Sequence, residues 1–247
     1  DAQESRGLGD VYKRQGVGAH PHRGFETVTI VYDGEVSHKD STGQGGTIGP
    51  GDVQWMTAGA GILHQEFHSD DFAKRGGVLQ MVQLWVNLPA KHKMTAPGYQ
   101  PILSQSIPEV ELSNSSGSIR VIAGEHEGRK GPAKTFTPMN VFDIRLKKGE
   151  ELILPVADSW NTSVVVLRGA LEGGDDSGVV AKDAKMLMFS QDGQDIKIKA
   201  LEDSVALLLS GEPIDEPIVG HGPFVMNTRE EIDQAIGDFN RGAFGSI

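Results

Sequence analysis

His20 and His22 stand one residue apart in "AHPHRGFETVTIVYDG" (residues 19–34), in a chain with only 8 histidines among 247 residues. In an extended strand, residues i and i+2 point to one face. Pro21 favours extension of the residue before it, so the two imidazoles are expected to project together. A second pair of the same form, His64 and Glu66, lies in "GILHQEFH" (residues 61–68). If the two strands are neighbours in one barrel, three imidazoles and one carboxylate surround a point, with one or two positions left open. Such a set suits a divalent first-row metal: iron, manganese, nickel, copper or zinc. Without a metal, the cluster would be costly to bury.

Other residues compete for these roles. His68 shares a face with His64 and Glu66 and is the rival for a ligand place. Glu26 follows His22 by four, as a ligand or as a partner that orients an imidazole. His38 sits in a polar strand and is read as solvated. Trp55, Met56, Phe25 and Trp85 are read as barrel packing rather than as a substrate box.

The elements that must hold these side chains are short strands. "FETVTIVY", "EVSHKD", "DVQWMTA", "GILHQEFH", "VLQMVQLWVNL" and "SIRVIAG" are bounded by turns such as "YDGE", "GPGD" and "AGAG". The polar stretch "HEGRKGPAKTFTP" (residues 126–138) reads as the connection between two halves. A second set follows: "NVFDIRL", "ELILPV", "TSVVVLRGALEG", "KMLMFS", "DIKIKA" and "SVALLLSG". One helix is expected last, where Thr228 and Glu231 form a capping box and Ile232, Ala235, Ile236 and Phe239 make an apolar stripe. "ETVTIVYDGEV" also aligns with "NTSVVVLRGAL", setting Glu26 opposite Asn161 and Gly34 opposite Gly169. The fold class is therefore all-β, with two tandem β-barrels and a C-terminal α-helix.

Composition narrows the function. The formal charge of −11 argues against nucleic acid or an anionic membrane as the main partner. The chain has no cysteine, which excludes a disulfide framework, a thiolate metal site and a cysteine nucleophile. No apolar run reaches the roughly 18 residues of a transmembrane helix, and no signal peptide is visible; a soluble cytoplasmic protein is expected. Residues 1–15, with "SRGLGDVYKRQ", carry no clear period. They look like a translated sequencing-adapter fragment, so a foreign leader is expected in place of a true N-terminal segment.

"HPHRGFETVT", "PGDVQWMTAGAGILHQE", "LQMVQLWVNLP" and "GEPIDEPIVGHGPFVMNTREEIDQAIGDF" together resemble the pirin family of two-domain cupins, from about Gly16 to about Gly242. The resemblance implies a bicupin, two double-stranded β-helix barrels with one mononuclear metal, usually iron(II), in the first. It maps the ligands onto His20, His22, His64 and Glu66, and makes Glu26 and His68 candidates for the shell behind them. Manganese, nickel, copper, cobalt and zinc are the alternatives to iron. The implied domains are a metal-binding barrel over residues 16–125 and a metal-free barrel with the terminal helix over residues 136–242. Pirin-like chains carry a few tens of residues before the HPH motif, so an open barrel edge is expected here.

Two functions follow from the resemblance. The first is a non-haem metal dioxygenase of the quercetin 2,3-dioxygenase type, taking a flavonol-like aromatic and O2, with Glu66 as ligand and as base for the flavonol hydroxyl. The second is a non-enzymatic, redox-responsive metal-binding regulator that binds a partner protein. A metal-free structural cupin is the third and weakest reading. In the second half, Pro155 and Ala157 stand opposite His20 and His22, and no histidine lies between Asn140 and Gly220. That barrel is expected to be filled with apolar side chains and to anchor the terminal helix.

Overall fold

The computed structural model describes residues 15–174 and 178–247. All but one of the residues read as a foreign leader therefore lie outside the described chain. The described residues are mostly strand, as their alternating and β-branched runs require, with two α-helices. No described helix is long and apolar enough to cross a membrane.

The chain divides into two units, one made of residues up to Leu103 together with Pro217–Ile247, the other of Ser104–Glu216. In the first unit the strands up to Leu103 are β1 (Gly16–His22), β2 (Phe25–Asp33), β3 (Val36–Asp40), β4 (Gly45–Ile48), β5 (Val53–Thr57), β6 (Ile62–His68), β7 (Gln80–Asn87) and β8 (Gly98–Ile102), and a small hairpin of Val219–His221 with Phe224–Met226 follows in its last segment. Strands β1 to β8 form two four-stranded antiparallel sheets, in the orders β1-β6-β3-β4 and β7-β2-β5-β8. β1 lies at the edge of its sheet and pairs with β6 on one side only among the described strands.

A short helix, α1 (Asp70–Arg75), follows β6 and escapes the sequence reading. Its signals are local: Ser69 accepts the Phe72 N–H, acids open the first turn and Lys74 and Arg75 close the last. The expected terminal helix, α2 (Arg229–Asn240), has the capping box between Thr228 and Glu231. Ile232 and Ala235 are buried with Phe224, Met226 and Phe244, and Leu63, Val219 and Ile236 pack against them. All of these lie in the first unit, so α2 is anchored there and not by the second barrel as expected.

The division also differs at the middle of the chain. Residues 126–138 contain a small hairpin, Glu125–His126 with Arg129–Lys130, inside the second unit. Their Gly/Pro and charge content marks a turn rather than a boundary. The strand Gly117–Ala123 pairs with Met139–Leu146 in one sheet, so both must belong to the same body. That second unit has a six-stranded and a four-stranded sheet around an apolar core including Val164, Val166, Leu187, Ala206 and Leu208. The internal alignment has a structural counterpart: β2 and the strand Asn161–Arg168 are each followed closely by a glycine at φ 84, Gly34 and Gly169. A side chain with a Cβ is disfavoured at that left-handed angle.

Candidate metal centre

β6 lies between β1 and β3, and this order joins the two histidine-bearing motifs. His20 is in register with His64 across β1 and β6. His64 and Glu66 are in turn opposite Asp40 and His38 of β3. Alternation then sends His64, Glu66, His38 and Asp40 to the same side of the sheet.

Ligand nitrogens of His20, His22 and His64 lie within 4.8 Å of one another. Each ring is turned by what holds its Nδ1. His20 Nδ1 is 2.8 Å from the Gly18 carbonyl oxygen, and His22 Nδ1 is 3.4 Å from that of Pro223. His64 Nδ1 is 3.4 Å from His38 Nδ1, while its buried Nε2 has no hydrogen-bond partner. A ring whose Nδ1 is engaged in this way offers Nε2 as the ligand atom. Burial, then the neighbouring His20, pushes the His64 pKa down to about 2. Burial and His20 likewise lower His22 to about 4, against the Pro223 hydrogen bond. These two rings are therefore neutral at neutral pH, the form that binds a metal. The three imidazoles, the neutrality of His22 and His64 and the orphaned nitrogen of His64 fit a first-row divalent cation.

Glu66 is placed differently from the expectation of a single four-point set. Its carboxylate forms a second group with His38 and His64, also within 4.8 Å, so that two triads share His64. Three donors hold it: Gln83 Nε2 to Oε2 at 2.8 Å, Gln54 Nε2 to Oε1 at 3.1 Å and Thr29 Oγ1 to Oε1 at 3.4 Å. A buried carboxylate with several donors is satisfied and directional.

Two residues expected behind the ligands do not serve there. Phe25 and Thr29 of β2 face the imidazoles and Glu66. Glu26, one step along the pleat, must therefore face away. It is fully buried on the opposite side of the sheet, where Thr57 Oγ1 donates to its Oε1 at 2.7 Å, and burial raises its pKa. His68 does face inward, but at the end of β6, where its ring meets Phe72 of α1 at 5.0 Å and burial lowers its pKa.

His38, read from the sequence as solvated, is buried within the cluster. Its Nε2 is 3.2 Å from Asp40 Oδ2, and Tyr99 stacks on its ring at 5.0 Å. The signal was present in "EVSHKD": the same i, i+2 rule that pairs His20 with His22 sets Val36, His38 and Asp40 on one face. Of the side chains read as packing, Trp55, Met56 and Phe25 are buried. Trp85 is not: it is 51% exposed, stacks on Phe25 at 4.3 Å and meets His22 edge-on at 5.3 Å.

Comparison with known proteins gives a consistent set of relatives. The Pirin family model matches residues 2–86, and that of the pirin C-terminal cupin domain matches residues 141–245. A Pseudomonas aeruginosa protein whose name provisionally ascribes to it a quercetin 2,3-dioxygenase activity is 55% identical over 232 residues, 94% of this chain and 80% of its own. A crystal structure of quercetin 2,3-dioxygenase from Acinetobacter baumannii is 54% identical with a TM-score of 0.92, covering 95% of this chain and 81% of that one. The bacterial pirin YhhW from Escherichia coli, crystallised in complex with nickel(II), is 26% identical with a TM-score of 0.63, over 81% of this chain and 77% of that one.

Proposed function

The chain belongs to the pirin family of two-domain cupins, and on that premise we propose that it is a mononuclear-metal dioxygenase opening flavonols such as quercetin with O2. The observation that carries the reading is the convergence of His20, His22 and His64 beside the half-exposed Trp85, which stacks on the buried Phe25. The names of the Pseudomonas aeruginosa and Acinetobacter baumannii relatives point to the same substrate class.

In this reading His20, His22 and His64 would hold one divalent metal through Nε2, with the Glu66 carboxylate, which shares the neighbouring group with His64, as the fourth ligand. Iron(II) is the metal we favour, with manganese, nickel, copper, cobalt and zinc as alternatives. When bound, the metal supplies a Lewis acid for a chelating enolate oxygen and a route for electron density towards O2.

The chain's own residues would do the rest. Trp85 offers a flat apolar face to an aromatic ring system, and Phe25 behind it holds the indole plane. Glu66 Oε2 carries one hydrogen bond from a side chain, that of Gln83, and keeps a lone pair for the flavonol hydroxyl proton. Gln54, Gln83 and Thr29 fix the direction from which that carboxylate acts.

Aerobic incubation of protein loaded with each metal in turn, followed by the visible absorbance of quercetin, tests the proposal. Loss of the flavonol band with at least one metal is expected. No loss with any of iron, manganese, nickel, cobalt, copper or zinc would overturn it.

A further inference from the structure

Behind His64 runs a hydrogen-bonded line of one carboxylate and one ring that the proposed chemistry does not use. Asp40 Oδ1 accepts from the Thr42 N–H at 2.8 Å, the Thr42 hydroxyl at 2.6 Å and the Gln44 N–H at 3.2 Å. Those donors fix the carboxylate and leave Oδ2 facing His38 Nε2 at 3.2 Å, with both side chains wholly buried. On its other edge, His38 Nδ1 faces Gln54 Nε2 at 3.2 Å and His64 Nδ1 at 3.4 Å.

The protons along this line can be assigned from its ends. The Tyr99 hydroxyl donates to Gln54 Oε1 at 3.2 Å, and Gln54 Nε2 donates to Glu66 Oε1 at 3.1 Å. The amide nitrogen is thus the edge of Gln54 turned towards His38, and His38 Nδ1 must be an acceptor. The single ring proton of neutral His38 then sits on Nε2 and is donated to Asp40. His38 Nδ1 has one in-plane lone pair, which Gln54 Nε2 and His64 Nδ1 both approach. A bare His64 Nδ1 would set two lone pairs against each other at 3.4 Å, so the geometry favours a proton on His64 Nδ1 that shares this acceptor with Gln54. His64 Nε2, buried and without a partner, is left as a bare lone pair beside His20 and His22.

We propose that Asp40 and His38 are positioning residues that fix the tautomer of His64, committing its Nε2 lone pair to the metal site before any metal arrives. The proposal rests on the reading of the three imidazoles as metal ligands. Metal-binding histidines commonly donate their second nitrogen to a carboxylate or carbonyl. Here the carboxylate acts through an intervening ring, and its influence reaches a ligand it does not touch.

Long-range proton–nitrogen spectra of the metal-free chain read histidine tautomers directly, with the His64 signals assigned by their loss in His64→Gln. The wild-type chain should show His64 protonated on Nδ1 and His38 on Nε2. Asp40→Asn keeps Oδ1 for its three donors but replaces the acceptor facing His38 by an amide donor. Both rings should then exchange tautomer, and cobalt(II) affinity, measured by chelator competition, should fall about tenfold or more. A wild-type His64 protonated on Nε2 overturns the proposal, even if the variant fails to fold. So does an Asp40→Asn chain with unchanged tautomers or wild-type affinity. A wild-type chain that shows the expected tautomers yet takes up no cobalt(II) would instead overturn the metal reading and leave the hydrogen-bond line standing.

Discussion

Lys93 Nζ lies 2.8 Å from the carbonyl oxygen of Val225, 132 residues further along the chain. The same ammonium donates to the Gly24 carbonyl at 2.9 Å and to Asn87 Oδ1 at 2.8 Å, and the residue is only 2% exposed. One buried cation thus ties the C-terminal hairpin (Val219–His221 with Phe224–Met226) to the turn after β1. Gly24 permits this approach, since it sits at φ 89 and a Cβ there would run into the Val225 carbonyl. Lys93→Met would leave three buried acceptors short of a donor, at about 1–3 kcal/mol each. Thermal unfolding of the metal-free chain should shift down by at least about 5 °C; an unchanged midpoint would show that the lysine does not hold the hairpin.

Metal stoichiometry should track the imidazoles. His20→Ala, His22→Ala and His64→Ala are each expected to cut bound metal strongly, from one ion per chain, as read by elemental analysis. His68→Ala should leave occupancy nearly unchanged, since its ring rests on Phe72 away from both donor groups. An empty site in His68→Ala would mean that the ligand set is misassigned.

Glu66→Gln separates holding the metal from moving a proton. The new amide would point a donor at Gln83 or Gln54, both of which already donate to this position. It should keep more metal than the histidine variants through its remaining oxygen, yet lose quercetin turnover by roughly 100-fold, the scale of a general base. Full turnover in Glu66→Gln would remove any role for the carboxylate beyond coordination.

Trp85→Ala should weaken flavonol binding without changing metal content. Loss of one aromatic face is expected to cost about 0.5–1.5 kcal/mol beyond the buried area, or several-fold in affinity. Anaerobic titration with quercetin measures this apart from turnover, and equal affinity in both proteins would leave Trp85 without a part in recognition.

Glu26 gives a pH signature of folding. Burial raises its pKa above the usual 4.5, so the folded chain binds this proton more tightly than the unfolded one. Its contribution is therefore fully present below about pH 4.5 and is lost as pH rises through the raised folded value. Glu26→Gln, which can still accept from Thr57, should be more stable than the wild type at pH 7–8 and no more stable near pH 4. A pH-independent difference in unfolding midpoint would contradict this account.

Much of the architecture was legible because the strands obey period two and the turns carry Gly, Pro and Asp. His20 with His22 and His64 with Glu66 were found by that same rule, and the capping box of Thr228 announced α2. Other features escaped for physical reasons. His38 was hidden because "EVSHKD" has as many polar residues as a solvent-facing strand, and only pairing with β6 shows which face is inward. Glu26 looked close to His22 in sequence, but a turn and one step of the pleat turn it to the far side of β2. The division of the chain was misplaced because a Gly-rich hairpin and a true boundary have the same composition, whereas strand pairing tells them apart.

The first unit is split in sequence, and the order of synthesis follows from that. Arg23 pairs through its guanidinium with Asp238 at 2.8 Å, 215 positions away, and its backbone bridges that of Phe224. A nascent chain that has just emerged through Glu216 contains every proposed metal ligand and the whole of the second unit, but lacks the segment whose Pro223 carbonyl orients His22. Contacts of such long range close late, because the entropy of the intervening loop opposes them. The second unit therefore has the opportunity to fold as an insertion on the ribosome, while the proposed metal centre is completed only after Pro217–Ile247 is released. A chain cut short there by a late stop codon would carry all the proposed ligands and still be a poor trap for a metal.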